Sequence, residues 1–125
     1  MTVWRMTPTN NDLLHLHWAA RSRLRDEWYY LIKLAAQEFC VPLQAPGERR
    51  DLEIVSYRLQ EADHDNLEGG MKFLIDALIR GNYIADDAPK FFVNKPKISQ
   101  IRVKRRKEQK TRIYLRIPET GNPAI

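Results

Sequence analysis

Leu52-Glu53-Ile54-Val55-Ser56-Tyr57-Arg58-Leu59, followed by Asp63-His64-Asp65-Asn66-Leu67-Glu68-Gly69-Gly70-Met71-Lys72, is the stretch on which the fold turns. Its first half is rich in β-branched and aromatic residues and reads as a strand. Leu52, Ile54, Ser56 and Arg58 share one face, and Glu53, Val55, Tyr57 and Leu59 the other. The alternation is imperfect, so the spacing predicts a strand partly covered on both faces. Carried forward in extended form, it sets Asp63 and Asp65 on one side, roughly 6–7 Å apart at Cα. Gly69-Gly70 permits a tight turn. From Met71 to Arg80 a short helix follows, with Met71, Leu74, Ile75 and Leu78 as its buried stripe. Lys72 and Asp76 lie one turn apart on another face. Gly81 stands where a left-handed cap would end the helix, and Asp86-Asp87 come soon after.

Upstream, Thr2 to Met6 reads as a short strand that Pro8 ends, and Thr7 to Asp12 as turn and cap chemistry. A long helix runs from about Trp18 to Phe39, with Leu24, Trp28, Leu31, Ala35 and Phe39 at helical spacing. Trp28, Tyr29 and Tyr30 read as core and rim packing. Downstream, Phe91 to Val93 is a short apolar segment. Ile98 to Lys107 and Thr111 to Ile117 read as two strands joined by a turn at Glu108-Gln109. Ile101, Val103, Ile113, Leu115 and Ile117 are expected to face the core. Pro118 to Ile125 reads as a loose tail. The expected class is α+β: one small domain over residues 1–125, with a mixed β-sheet packed against one long and one short helix.

The totals agree with such a domain. The chain has 125 residues, 43% hydrophobic and 30% charged, which excludes a disordered protein and leaves room for one core. Its formal charge is +5 and its pI about 9.5, which admits nucleic acid as a partner without requiring it. Cys40 is the only cysteine, so a disulfide framework and a Cys-rich zinc site are excluded; it is expected as a small buried hydrophobe. His15, His17 and His64 lack a matching ligand set for zinc. The sequence shows no signal-like or membrane-spanning apolar run. A cytoplasmic setting, no membrane partner and no small-molecule cofactor are the resulting expectations.

The chemistry lies in the acids. Asp63, Asp65 and Asp87 are suited to a hard cation such as Mg²⁺, which takes carboxylate oxygens and keeps several waters. Two such ions could stabilise an in-line displacement at phosphorus. Lys72 could neutralise charge that grows in the transition state, with Asp76 positioning it and Asp86 supporting Asp87. Standing alone, Asp-x-Asp-Asn is equally good turn and cap chemistry, and Lys72 with Asp76 an ordinary surface ion pair. From Lys90 to Arg116 there are eleven Lys or Arg and one acid, Glu108. Lys90, Lys95, Lys97, Arg102, Lys104, Arg105, Arg106, Lys107 and Arg112 are the candidate contacts to a DNA backbone. The competing explanation is a charged edge that blocks strand pairing.

These residues resemble the RusA-type Holliday junction resolvases. The resemblance rests on Asp63-x-Asp65-Asn66-Leu67, Lys72, Asp76-Ala77-Leu78 and Asp86-Asp87, with Pro8-Thr9-Asn10 ahead of the helical region and basic strands closing the chain. It spans nearly the whole sequence. Glu68-Gly69-Gly70-Met71 lengthens the gap before the lysine relative to the compact form of the motif, and Ala62 stands where a basic residue is frequent. The resemblance implies that Asp63, Asp65 and Asp87 are metal-binding catalytic acids and Lys72 the catalytic lysine. It also implies a RusA-like homodimer that uses Mg²⁺, with Mn²⁺ as a substitute, and nicks four-way DNA junctions symmetrically in recombination and repair. Two other readings stay open: a basic DNA-binding module without cleavage, and a related metal nuclease acting on flaps, forks or duplex DNA.

Overall fold

A computed structural model of the chain describes residues 1–118; the expected tail beyond Pro118 lies outside them. The architecture is α+β. A four-stranded mixed sheet has the order β1-β4-β2-β3, with β1 at Thr2–Val3, β2 at Asp51–Arg58, β3 at Lys97–Arg102 and β4 at Lys110–Arg116. β2 pairs with β3 in parallel and with β4 antiparallel, and β1 pairs antiparallel with β4. The helices are α1 at Asn10–Leu14, α2 at Trp18–Glu38, α3 at His64–Gly69 and α4 at Lys72–Arg80. No helix is long and apolar enough to cross a membrane among the described residues.

Burial of apolar side chains drives the assembly. The long helix sets Trp28, Ile32, Ala35 and Ala36 against the core, while α4 contributes Phe73, Leu74, Ala77 and Leu78. The sheet answers with Val3, Leu52, Ile54 and Ile113, and Tyr83, Ile84 and Phe92 close the far side. The expected stripe of α2 needs adjustment: Ile32 is fully buried, whereas Phe39 is 48% exposed. Phe39 sits at the C-cap, where the chain leaves the helix. Cys40, just beyond, is exposed and has a φ of 54°, so it is a helix-terminating residue and not a buried hydrophobe. Gly81 is likewise not left-handed, with φ −82°; Asn82 takes that role at 63°. A Cβ on Gly81 would come 2.5 Å from the Tyr83 ring, so packing requires this glycine.

Three expectations change. First, the N-terminal strand is two residues long, and the polar segment after Pro8 forms α1. Thr9 caps this helix, its side chain accepting from the Asp12 N–H while Asp12 accepts from the Thr9 N–H. With α3, this makes four helices in place of two. Second, the two C-terminal strands are not a hairpin: β2 lies between them. The chain leaves β3 and crosses the C-terminal end of β2 through a 3₁₀ turn at Arg106–Glu108 before it enters β4. Third, Ile101 faces out at 47% exposure and Ile117 is 66% exposed, while Ile98 and Leu115 pack against the core. Ile101 pairs with Tyr57, which places both on the uncovered face of the sheet.

Candidate active site

Asp63 does not continue the strand. β2 ends at Arg58, and Asp63 is the N-cap of α3. Its Oδ1 accepts from the Asn66 backbone N–H at 3.0 Å, and its Oδ2 from the Asn66 side chain at 3.3 Å. Asn66 Oδ1 accepts in turn from the Asn11 N–H at 3.1 Å, which ties α3 to α1. Asp65 sits in the first turn of α3, where the helix dipole favours an acid. Both carboxylates are exposed. The expected extended geometry is therefore wrong: capping the free N–H groups of α3 outweighed continuation of the strand.

The loop between β2 and α3 is held from two sides. Gln100 of β3 accepts from the Ala62 N–H at 3.0 Å and donates to the Ala62 carbonyl at 2.6 Å. Gln109 accepts from the Leu59 N–H at 3.1 Å. Val103 donates to the Arg58 carbonyl at 2.8 Å. Because the β3–β4 crossover passes over the end of β2, basic residues are carried to the acidic motif. A cleft of about 830 Å³ is lined by Asp12, Arg58, Glu61, Asp63, Asn66 and Arg106, among others.

Asp87 lies elsewhere along the chain. It follows α4, and the segment after it is fastened to the start of β2, where Asp51 accepts from the Val93 and Asn94 N–H groups at 2.9 and 3.1 Å. The Asp87 carboxyl is held above its usual range, first by a hydrogen bond with Asp86, then by burial and by the charges of Asp86 and Asp76. Asp86 also accepts from the Asp87 backbone N–H at 2.7 Å. Among the described residues no group of three or more His, Cys, Asp or Glu could hold a metal ion. As donors the acids fit a hard cation, being oxygen ligands with no soft atom among them. As arranged within one chain, Asp63, Asp65 and Asp87 do not close into such a set.

Lys72 opens α4 and is exposed. No ion pair with Asp76 forms, nor with any other acid among the described residues. A cation in the first turn opposes the helix dipole, so the lysine carries a local cost without a visible structural return. His64 pairs with Glu68 at 3.1 Å, and His17 caps α2 by accepting from the Ala19 N–H.

The basic region is divided. Arg102 ends β3, and Lys104, Arg105, Arg106 and Lys107 follow it in the crossover, where Arg106 lines the cleft with Asp63. Lys95 and Lys97 line a hollow with Asp51 at the opposite end of the sheet, about 17 Å away along β3, and Lys90 lies over the Phe91 ring. Arg112 is on the open face, stacked 5.4 Å from Tyr57. If the chain binds a DNA backbone, Lys104→Ala and Arg106→Ala should each flatten the slope of log affinity against log salt by roughly one unit. Lys95→Ala, far from the cleft, should change it less. Salt titrations by fluorescence anisotropy would read this, and equal effects at both ends would mean a diffuse basic surface.

The residues that sequence reasoning missed are Arg58, Gln100, Gln109 and Asp12. Gln100 and Gln109 carry no motif; their role depends on strands that meet only in the folded sheet. Asp12 was visible as a cap. Comparison of the chain with family models, with curated proteins and with solved structures finds no match.

Proposed function

We propose that the protein is a Mg²⁺-dependent endodeoxyribonuclease that resolves four-way DNA junctions by paired, symmetric nicks. The observation that carries this reading is the cleft, whose lining brings Asp63 of the acidic motif together with Arg106 of the basic crossover. Carboxylates there repel phosphate unless a cation intervenes. In this reading Asp63, Asp65 and Asp87 are the metal-binding acids, and Asp76 and Asp86 support Asp87. Lys104, Arg105, Arg106 and Lys107 bring the backbone to the cleft, and Lys72 stabilises charge at the reacting phosphate.

A specific observation favours a second reading, a DNA-binding module without cleavage. Asp63 is engaged as a cap, and the three acids do not gather within one chain. Labelled four-way, forked and linear DNA incubated with protein and Mg²⁺, with EDTA as control, separates the two. Junction nicking that EDTA abolishes supports the nuclease. Binding without any nicking establishes the module, and preference for forks, flaps or duplex moves the substrate.

Lys72 provides a sharper check. Lys72→Ala should lower single-turnover cleavage at saturating enzyme by about a hundredfold, as for other preorganised charge stabilisers. Junction affinity should hardly move. An unchanged rate would make Lys72 an ordinary surface residue.

A twofold dimer follows from the same reading. A four-way junction offers two related strands, and one chain of this size presents one Asp63 motif. Trp4 and Trp18 are 68% and 72% exposed and offer apolar surface for an interface. Light scattering at micromolar concentration should give about twice 14.8 kDa. A monomer both free and on junction DNA would contradict symmetric resolution.

A further inference from the structure

We propose that Arg58, assisted by Arg106, seats one phosphate group of the DNA backbone inside the cleft beside Asp63, as a positioning residue. The inference rests on the nuclease reading only for the identity of the anion as a DNA phosphodiester.

Two arginines are buried, each 4% exposed, and they differ in how they are satisfied. Arg50 is saturated: it pairs with Glu48 and donates to the carbonyls of Pro42, Leu43 and Tyr83. It is a structural clasp. Arg58 is only half used. Its Nη1 donates to the Thr7 carbonyl at 2.7 Å and lies 3.4 Å from Thr7 Oγ1 and 3.3 Å from Ser56 Oγ. These contacts fix the guanidinium plane from one edge. Its Nε is buried with no partner, and no carboxylate lies within ion-pair distance among the described residues. Burial holds the guanidinium below its ordinary pKa, and the charge of Asp12 pulls the other way.

A buried cation without a hydrogen-bonded counter-ion is costly. The Nε–Nη2 edge is the fork that matches two oxygens of a phosphate or carboxylate. Here the Nε of that edge is unpaired but closed to solvent, in a residue that lines the cleft together with Arg106, so seating an anion on the fork requires the side chain to turn its Nε toward the cleft. A tetrahedral oxyanion is the ligand chemistry that completes it. Asp12, Glu61 and Asp63 line the same cleft and oppose a small free anion. A DNA backbone, held by the arginines and lysines of the β3–β4 crossover, overcomes that opposition by its many phosphates.

The experiment uses the full-length protein labelled with ¹⁵N in EDTA, so that cleavage plays no part. The Arg58 Nε–H resonance is followed during titration with a short DNA duplex, with inorganic phosphate and with chloride at matched ionic strength. We expect a saturable shift with duplex, a weaker one at millimolar phosphate and none with chloride. Arg58→Lys, which keeps the charge and loses the fork, should weaken duplex binding about tenfold. Arg106→Ala should weaken it while leaving the fold intact. A resonance unmoved by duplex would overturn the proposal, with Arg58 then a structural residue whose Nε stays buried and unpaired. A shift with phosphate but not with duplex would overturn the DNA assignment. If Arg58→Lys fails to fold, the wild-type resonance and Arg106→Ala still decide. Cleavage of junctions with an unmoved Arg58 resonance would remove the seat and keep the nuclease; a saturating shift in a protein that cuts no DNA would do the reverse.

Discussion

On the nuclease reading proposed above, asparagine in place of Asp63, Asp65 or Asp87 should each lower junction cleavage by about a thousandfold or more, because residues that act as one catalytic unit fail together. Folding and junction binding should persist. Asp63 makes this a clean test. It caps α3, and asparagine caps a helix as well as aspartate does. Asp63→Asn therefore removes charge and keeps the cap, whereas Asp63→Ala also loses about 1 kcal/mol of helix stability. The two variants should have equal cleavage defects and different melting temperatures. Asp65 sits in the first turn of α3 with its carboxylate in solvent, so Asp65→Asn should cost little stability. Quenched-flow cleavage of a labelled four-way junction, with anisotropy for binding, reads both quantities. Near-normal cleavage by Asp65→Asn would remove the acids from the chemistry and leave Asp63 as a helix cap.

What could be read from the sequence was what is local. The α2 and α4 helices declared themselves by apolar residues three and four apart, and β2 by its alternation. The short helices α1 and α3 are too brief to show a period, and their evidence is confined to caps: Thr9 with Asp12, and Asp63 with Asn66. Asp-x-Asp-Asn was legible both as a cap and as a metal motif, and extending β2 into it misplaced both acids. Strand order was not legible. Nothing local distinguishes a hairpin from two strands that flank a third, and the choice is made by burial of Ile54 and Ile113 in the middle of the sheet. That non-local choice carries Arg106 across the end of β2 and builds the cleft. Arg58 was assigned correctly to the face of Leu52, Ile54 and Ser56, but the missing partner of its Nε is a property of the packed structure alone.

Gly70→Ala should be the most damaging glycine-to-alanine change among the described residues. A Cβ at Gly70 would stand 1.8 Å from the Pro8 carbonyl oxygen and 2.9 Å from the Thr9 Cα. Those are backbone atoms of the segment that enters α1, so no rotamer change relieves the clash. Gly70 itself has φ −76°, which any residue adopts, so the requirement is for space and not for conformation. Overpacking of this kind costs up to about 3 kcal/mol, and more where backbone must move. Gly69→Ala provides the contrast. Its Cβ would meet the Asn10 side chain, at 2.5 Å from Cβ and 2.7 Å from Cγ. The Asn10 Cβ is fixed by the α1 backbone, so Gly69→Ala is also unfavourable, but its clash is milder than 1.8 Å against a carbonyl oxygen, and alanine within α3 returns up to about 1 kcal/mol of helix propensity. Urea denaturation should therefore rank Gly70→Ala well below Gly69→Ala in stability. The contact joins the α3–α4 junction to the Pro8-Thr9-Asn10 segment, and α3 carries Asp63 and Asp65 on its other end. On the nuclease reading, a Gly70→Ala protein that still folds at low temperature should accordingly cleave poorly with its acids intact. Equal stabilities for the two variants would mean that the Pro8 segment yields freely and does not fix the position of α3.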